Sequence, residues 1–359
     1  MPRVAFSFPI SDVANFFAHY DVLTRRPGNN RFDPKDYYFM QAASSTPGLT
    51  NPNLKPERTV DYELGFNQIL NERKNAAIKF SAFYREMRDM LTQKQIVSAF
   101  PRSYITYVNQ DFGTVKGMSV EFDLRRTGGA RLNANYTLQF AEGSGSNANS
   151  GANLAASGFP NLRVTQPLDY DQRHQVTLTY DYRFGNGKDY KGPKMKRKKD
   201  GNDIQLLQDV GFNLQFLVGS GTPYTRYNNV VGVGSFGTRS SILGSVNGSS
   251  KPWTFRANLR IDKNVELTWG KKDSDTKKKA NLNIYVQVLN LLNTKNIQTV
   301  YAYTGNPEDD GFISSPLVQS TLQGAVSQQG YIDQYSIYIN NPGNYSRPRV
   351  IRIGLQLDF

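Results

Sequence analysis

Cysteine is absent from the 359 residues. That excludes disulfides, thiolate zinc sites and cysteine nucleophiles. Histidine is almost absent: His19 and His174 are the only two, too few for a multi-histidine metal centre. No run of about 18 apolar residues occurs, and the mean hydropathy of −0.55 is too polar for a helical membrane protein. The opening residues, Met1-Pro-Arg-Val-Ala-Phe6, lack the charged, apolar and small-residue regions of a secretory signal. Acidic residues fall short of basic ones, 30 against 43, for a formal net charge of +13. A basic total suits nucleic acid or an anionic membrane surface, so the placing of the charges has to decide.

What is present is an alternation of period two. In the stretch 349–359, Ile351, Ile353, Leu355, Leu357 and Phe359 fall on one face, and Val350, Arg352, Gly354, Gln356 and Asp358 on the other. Such alternation predicts a strand with one apolar and one wet face. The pattern recurs throughout. Val60, Tyr62, Leu64 and Phe66 carry it, then Ile78–Tyr84, Met118–Leu124, Leu132–Phe140, Val176–Tyr182, Val210–Phe216, Trp253–Ile261 and Leu282–Val288. Segments of about ten residues suit strands that cross a bilayer at a tilt, and a barrel looks soluble on average because only alternate residues meet lipid. The 21 Tyr and 21 Phe suit aromatic girdles.

The connections alternate in length. Short turns are expected near Ile10, Glu72, Gly128, 185–205 and 270–279, and long loops over 25–57, 87–113, 141–172, 219–252 and 293–346. Short periplasmic turns facing long outer loops are what a single-chain outer-membrane barrel requires. The expected fold is all-β, an antiparallel transmembrane β-barrel wall of about eleven strands, half of the twenty-two in plugged outer-membrane transporters. An odd strand number, together with a first strand whose start is missing, points to residues 1–359 as the C-terminal portion of a larger barrel.

Several junctions carry a resemblance. Asn51-Pro-Asn-Leu-Lys-Pro-Glu57 leads into Arg58-Thr-Val-Asp-Tyr-Glu-Leu-Gly-Phe66. Further on come Phe112-Gly-Thr-Val-Lys-Gly-Met118, Asp171-Gln-Arg-His174, Asn290-Leu-Leu-Asn-Thr-Lys-Asn296 and the terminal Phe359. In this order they resemble the TonB-dependent outer-membrane receptors, in the style of those from Bacteroidota. The resemblance implies Phe359 as the barrel-assembly signal and a setting in the outer membrane of a Gram-negative bacterium. It also implies a plug domain, the remaining barrel strands and a TonB-engaging segment that these 359 residues lack. The function it implies is active uptake of a scarce bulky solute, such as a siderophore, cobalamin, oligosaccharide or peptide. Partners would be outer-membrane lipid, TonB through the missing N-terminal part, and a surface lipoprotein. The alternative is a self-contained pore or surface-binding barrel of ten to twelve strands.

The candidate residues follow from this frame. Lumen-facing charges include Arg125, Arg256, Arg260 and Arg352, with Asp61, Glu63, Lys79 and Arg85. They are expected to solvate the interior and to brace a plug. The loop aromatics Tyr224, Tyr227, Tyr301, Tyr303, Tyr331 and Tyr335 are candidates for stacking on a solute, set against ordinary loop packing. Glu308-Asp-Asp310 is expected to be a solvated acidic tip, since consecutive carboxylates lack calcium-loop spacing. Two basic turns, one with Lys188, Lys191 and Lys194, the other with Lys271 and Lys279, are expected to be solvated and to touch anionic headgroups. They lie between amphipathic strands without a recognition helix, which excludes nucleic acid. An enzymatic barrel would need His174 with Asp171 and a loop serine in reach. The reading is not an enzyme, with no cofactor and no metal.

Overall fold

The computed structural model describes residues 1–28, 48–97, 103–156, 163–196, 203–230, 241–269 and 278–358. Among the described residues, eleven long strands form one antiparallel sheet in chain order. They are β1 (Arg3–Ser11), β2 (Ala14–Arg25), β3 (Glu57–Ile69), β4 (Ala76–Ile96), β5 (Tyr104–Thr127), β6 (Ala130–Gly143), β7 (His174–Arg183), β8 (Val210–Gly219), β9 (Thr254–Trp269), β10 (Lys278–Leu289) and β11 (Val350–Asp358). The two-residue strands Gly48–Leu49 and Gln166–Pro167 attach to β5 and β6. No helix among the described residues is long and apolar enough to cross a membrane.

The register keeps the two faces apart. Phe8, Phe16, Phe66, Phe80, Val120, Tyr136, Val176, Val218 and Phe255 form one continuous row across nine strands. One slipped residue would interrupt it, because each side chain would change face. Along this face Leu64, Phe66, Ile351, Ile353 and Leu355 are all exposed, Ile353 to 77%. In water such a surface would be a liability; in lipid it is the favourable arrangement. Aromatic side chains pair across strands at two levels, Tyr20–Tyr62 at 5.2 Å towards the long-loop end and Phe66–Phe80 at 5.7 Å towards the short-turn end.

On the polar face, aromatic rings fill the space above glycines. Phe17 lies over Gly65, Phe83 over Gly117 and Tyr285 over Gly354; a Cβ on Gly117 would stand 2.7 Å from Phe83 Cζ and 2.2 Å from the Leu138 carbonyl oxygen. Each ring covers a strand position that has no side chain of its own.

Three expectations are corrected. The loop over 87–113 is in its described part a hairpin, since β4 and β5 continue to Ile96 and Tyr104 through bulges near Met90. It was missed because a strand rising clear of lipid no longer needs one apolar face, and Gln93, Gln95, Thr106 and Asn109 break the alternation. The long loop before β11 holds two helices, α1 (Pro316–Gly324) and α2 (Gln328–Ile339). Their signals were present: Pro316 starts α1 after Ser315, and the Ser327 hydroxyl accepts the Gly330 N–H at 3.1 Å. The turn over 185–205 has its own order in its described part: Gly187–Asp189 form one turn of 3-10 helix, and Lys194–Lys196 pair with Asp203–Gln205.

The sheet does not close. Among the described residues β1 pairs only with β2 and β11 only with β10, leaving two long edges.

Candidate functional site: the polar face and its outer rim

Carboxylates and cations on the polar face pair with one another across the sheet, Arg183 of β7 reaching Asp262 of β9 over Gly211 of β8. Asp61 meets Arg85 at 2.7 Å, Glu63 meets Lys79 at 3.7 Å, and Asp262 meets Arg183 at 2.7 Å. His19 stands between Asp21 and Glu63, at 3.8 and 3.7 Å. The wall is therefore braced within itself, by ion pairs that leave neither charge without a partner.

The four arginines fare differently. Arg260 lies over the Tyr285 ring at 4.2 Å and donates to Asn283 at 3.4 Å. Arg256 lines a polar cavity of about 320 Å³ with Gln175, Thr177, Thr254, Asn296 and Gln298. Arg352 is exposed in β11, opposite Gln287 of β10. Arg125 falls in the irregularity between Leu124 and Thr127, and Arg126, one residue on, takes the ion pair with Asp181. A period-two count misses this, because an extra residue in one strand shifts which side chain meets the partner.

At the outer rim, part of a long loop folds back over the polar face. Leu168 is fully buried against Val115 and Ala141, with Phe83 and Met87 beside them. Asp171 accepts the Ala141 N–H at 2.9 Å and meets Arg173 at 3.5 Å. His174 points elsewhere: its Nδ1 pairs with the Tyr136 hydroxyl at 2.9 Å and its ring stacks on Trp253 at 5.6 Å. Asp171 and His174 are thus not brought together.

The asparagines of the penultimate junction act on backbone where pairing stops. Asn290 is buried in the left-handed region (φ 54°), donates to the carbonyls of Thr294 and Arg347, and accepts the Thr294 N–H. Asn293 accepts the Arg349 N–H, and Asn296 holds both backbone groups of Phe255. Polar side chains capping loose strand ends are the reason for this spacing.

The loop tyrosines lie together only in part. Tyr224 is in a two-residue strand against Ser249–Ser250, and the Tyr227 N–H donates to the Ala302 carbonyl. The Tyr301 hydroxyl donates to the Ile339 carbonyl at 2.6 Å, and the Tyr303 carbonyl accepts from Arg226. On α2, Tyr331 stacks with Tyr335, whose hydroxyl donates to Asp310. Tyr301 and Tyr335 therefore serve loop packing. The acidic tip is corrected at Asp310, which is buried and also accepts the Phe312 N–H; Glu308 and Asp309 are exposed as expected, Glu308 accepting the Tyr345 hydroxyl at 2.6 Å. Among the described residues, no group of three or more acidic or histidine side chains could hold a metal ion. Phe359 lies outside the described residues.

An antiparallel sheet with a lipid-exposed apolar face, an ion-paired polar face, short turns at one end and long folded loops at the other is the wall of an outer-membrane β-barrel. The family model described as "TonB dependent receptor-like, beta-barrel" matches residues 1–291, and the chain belongs to that family. Its setting is the outer membrane of a Gram-negative bacterium. Among solved structures, it is similar to FpvA of Pseudomonas aeruginosa bound to heterologous pyoverdines (TM-score 0.53, 13% identity, 100% of this chain and 32% of that one). It is also similar to the FpvAI–pyocin S2 complex (TM-score 0.51, 12% identity, 100% and 33%). At such identities the likeness is one of fold. The chain spans about a third of the length of these structures. No match is found among curated protein sequences.

Proposed function

We propose that residues 1–359 are the C-terminal part of the barrel of a TonB-dependent transporter. The remaining strands and a plug domain would complete it, and it would take up a scarce bulky solute such as a siderophore, cobalamin, oligosaccharide or peptide. The observation that carries this reading is the pair of outer edges, β1 and β11, which meet no further strand among the described residues, on a sheet whose apolar face is exposed. Within a bilayer an open edge leaves backbone groups without partners, at several kcal/mol each, so further strands have to meet both sides. The same observation disfavours a self-contained pore of ten to twelve strands.

The outer loops and the plug would capture the solute, energy relayed through TonB would rearrange the plug, and the solute would pass along the polar face. The Arg256 cavity, with Tyr303 exposed at the rim, supports an outer binding region. No residue has a catalytic role in this scheme. The test is the intact mass and peptide map of the native polypeptide from outer membranes. A polypeptide carrying further strands and a plug supports the reading. A mature chain of 40.4 kDa that stays folded in detergent without a partner overturns it.

A further inference from the structure

At the outer ends of β7, β8 and β9 the register sets two rows on the polar face. Thr177, Leu217 and Arg256 are partners in one, and Gln175, Gly219 and Thr254 in the next row outward. Gly219 brings no side chain to the middle of its row. A Cβ there would stand 2.1 Å from Gln172 Nε2, so only glycine lets the Gln172 amide lie against the backbone. That amide donates to the Ser220 carbonyl at 2.9 Å and accepts from Gln175 at 3.4 Å. On the other side Asn296 holds both backbone groups of Phe255, and the Ser346 hydroxyl accepts the Asn296 N–H at 3.4 Å. These tethered side chains wall the cavity of about 320 Å³, a size that suits one unit of a larger solute.

Arg256 is the one ionisable side chain among the residues that line this cavity. Its guanidinium has no hydrogen-bond, ion-pair or ring partner among the described residues. Elsewhere on the polar face Arg85, Lys79 and Arg183 each have a carboxylate within 3.7 Å. The guanidinium of Arg256 therefore keeps all its donors, in a planar fork that matches a carboxylate. One cation balances one negative charge, which favours a carboxylate over a phosphate dianion. Around it the Thr177 hydroxyl and the amides of Gln175 and Gln298 each offer both a donor and an acceptor. Those are the partners that hydroxyl groups require. Leu217, between Thr177 and Arg256 in the register, adds an apolar patch for the C–H face of a ring.

We infer that this cavity is a subsite for a carboxylate flanked by hydroxyls, the arrangement of a sugar acid. Arg256 takes the carboxylate, and Thr177, Gln175 and Gln298 take the hydroxyls. The neutral counterpart of the same sugar leaves the guanidinium unpaired and binds less well. The inference rests on the reading of this rim as the solute-binding end of a transporter, and names the chemistry it selects.

The receptor carrying this chain is purified from outer membranes as wild type, R256Q and R256K. Each is titrated with methyl glucuronide, with its neutral counterpart methyl glucoside, and with acetate, and binding is read from the ligand resonances. Wild type should bind the glucuronide about tenfold more tightly than the glucoside or acetate. R256Q should remove that preference, about tenfold or more, and leave the glucoside unchanged. R256K should fall between the two, because an ammonium keeps the charge and loses the fork. Should R256Q not assemble, protection of Arg256 in the wild type from a dicarbonyl reagent, read by peptide mapping, gives the same answer: glucuronide should protect and glucoside should not. Equal binding of the two glycosides, glucuronide binding untouched by R256Q, or acetate binding as tightly as glucuronide overturns the subsite. Arginine-dependent glucuronide binding by a receptor that takes up no solute would keep the subsite and remove the transport reading, so the two failures are distinct.

Discussion

Single residues matter most where backbone would otherwise lack partners. Asn290 combines a left-handed backbone with side-chain bonds to Thr294 and Arg347. Alanine there would lose those bonds and keep the unfavourable φ, a loss on the order of 2–3 kcal/mol. The expected result for Asn290→Ala is a lower temperature at which the folded, fast-migrating electrophoretic band disappears. Tyr345 offers a pH test in the outer loop. The hydrogen bond it donates to Glu308, with a smaller contribution from desolvation, holds its phenol above the ordinary range. A raised folded value means that the contact is fully present below the unfolded phenol value of about 10 and is lost as pH rises through the folded one. The ring-carbon resonance of isotope-labelled Tyr345 should titrate later in wild type than in Glu308→Gln. Asparagine at the strand junctions was legible in the sequence as a cap. Asp310 was not, because burial of one carboxylate in a run of three depends on where α2 places Tyr335.

A strand is the unit that distinguishes lipid from lumen. Ile353 and Arg352 are neighbours in β11 yet point to opposite faces. Arginine at Ile353 would meet hydrocarbon, at a cost of about 2–4 kcal/mol near the bilayer midplane. Ile353→Arg should therefore sharply reduce the folded fraction in outer membranes, whereas Arg352→Gln should leave it close to wild type. Equal effects would mean that β11 does not separate lipid from lumen. The hairpin of β4 and β5 shows how the same element changes rules along its length. Below Met87 its side chains alternate, as lipid demands. Above, Asn109 ties the hairpin to the segment before β3, exchanging hydrogen bonds at 2.8 Å with both backbone groups of Lys55 and donating to the Asp89 carbonyl at 2.7 Å. Asn109→Ala should raise proteolysis of this hairpin on intact cells while the rest of the wall stays protected.

For the whole molecule the expectation concerns sidedness. With no native cysteine in these 359 residues, single cysteines report directly on the side they occupy. A cysteine replacing Tyr303 should react with an impermeant maleimide on intact cells, and one replacing Glu72 should react only after the outer membrane is opened. Reaction of both from outside would exclude a sheet that spans the membrane.

Strand order and the two faces were determined by the sequence alone, because each depends on local period and local breakers, and lipid enforces period two over every crossing segment. Eleven strands and their order were legible for that reason. The tertiary structure alone decided what depends on residues far apart. It turned Leu168 inward over Val115, buried Asp310, gave the Asp181 ion pair to Arg126 rather than Arg125, and rooted the Lys-rich turn on Phe184 through Tyr190. Outside the bilayer no single solvent imposes a pattern on the chain, so contacts between distant residues, rather than periodicity, choose the structure.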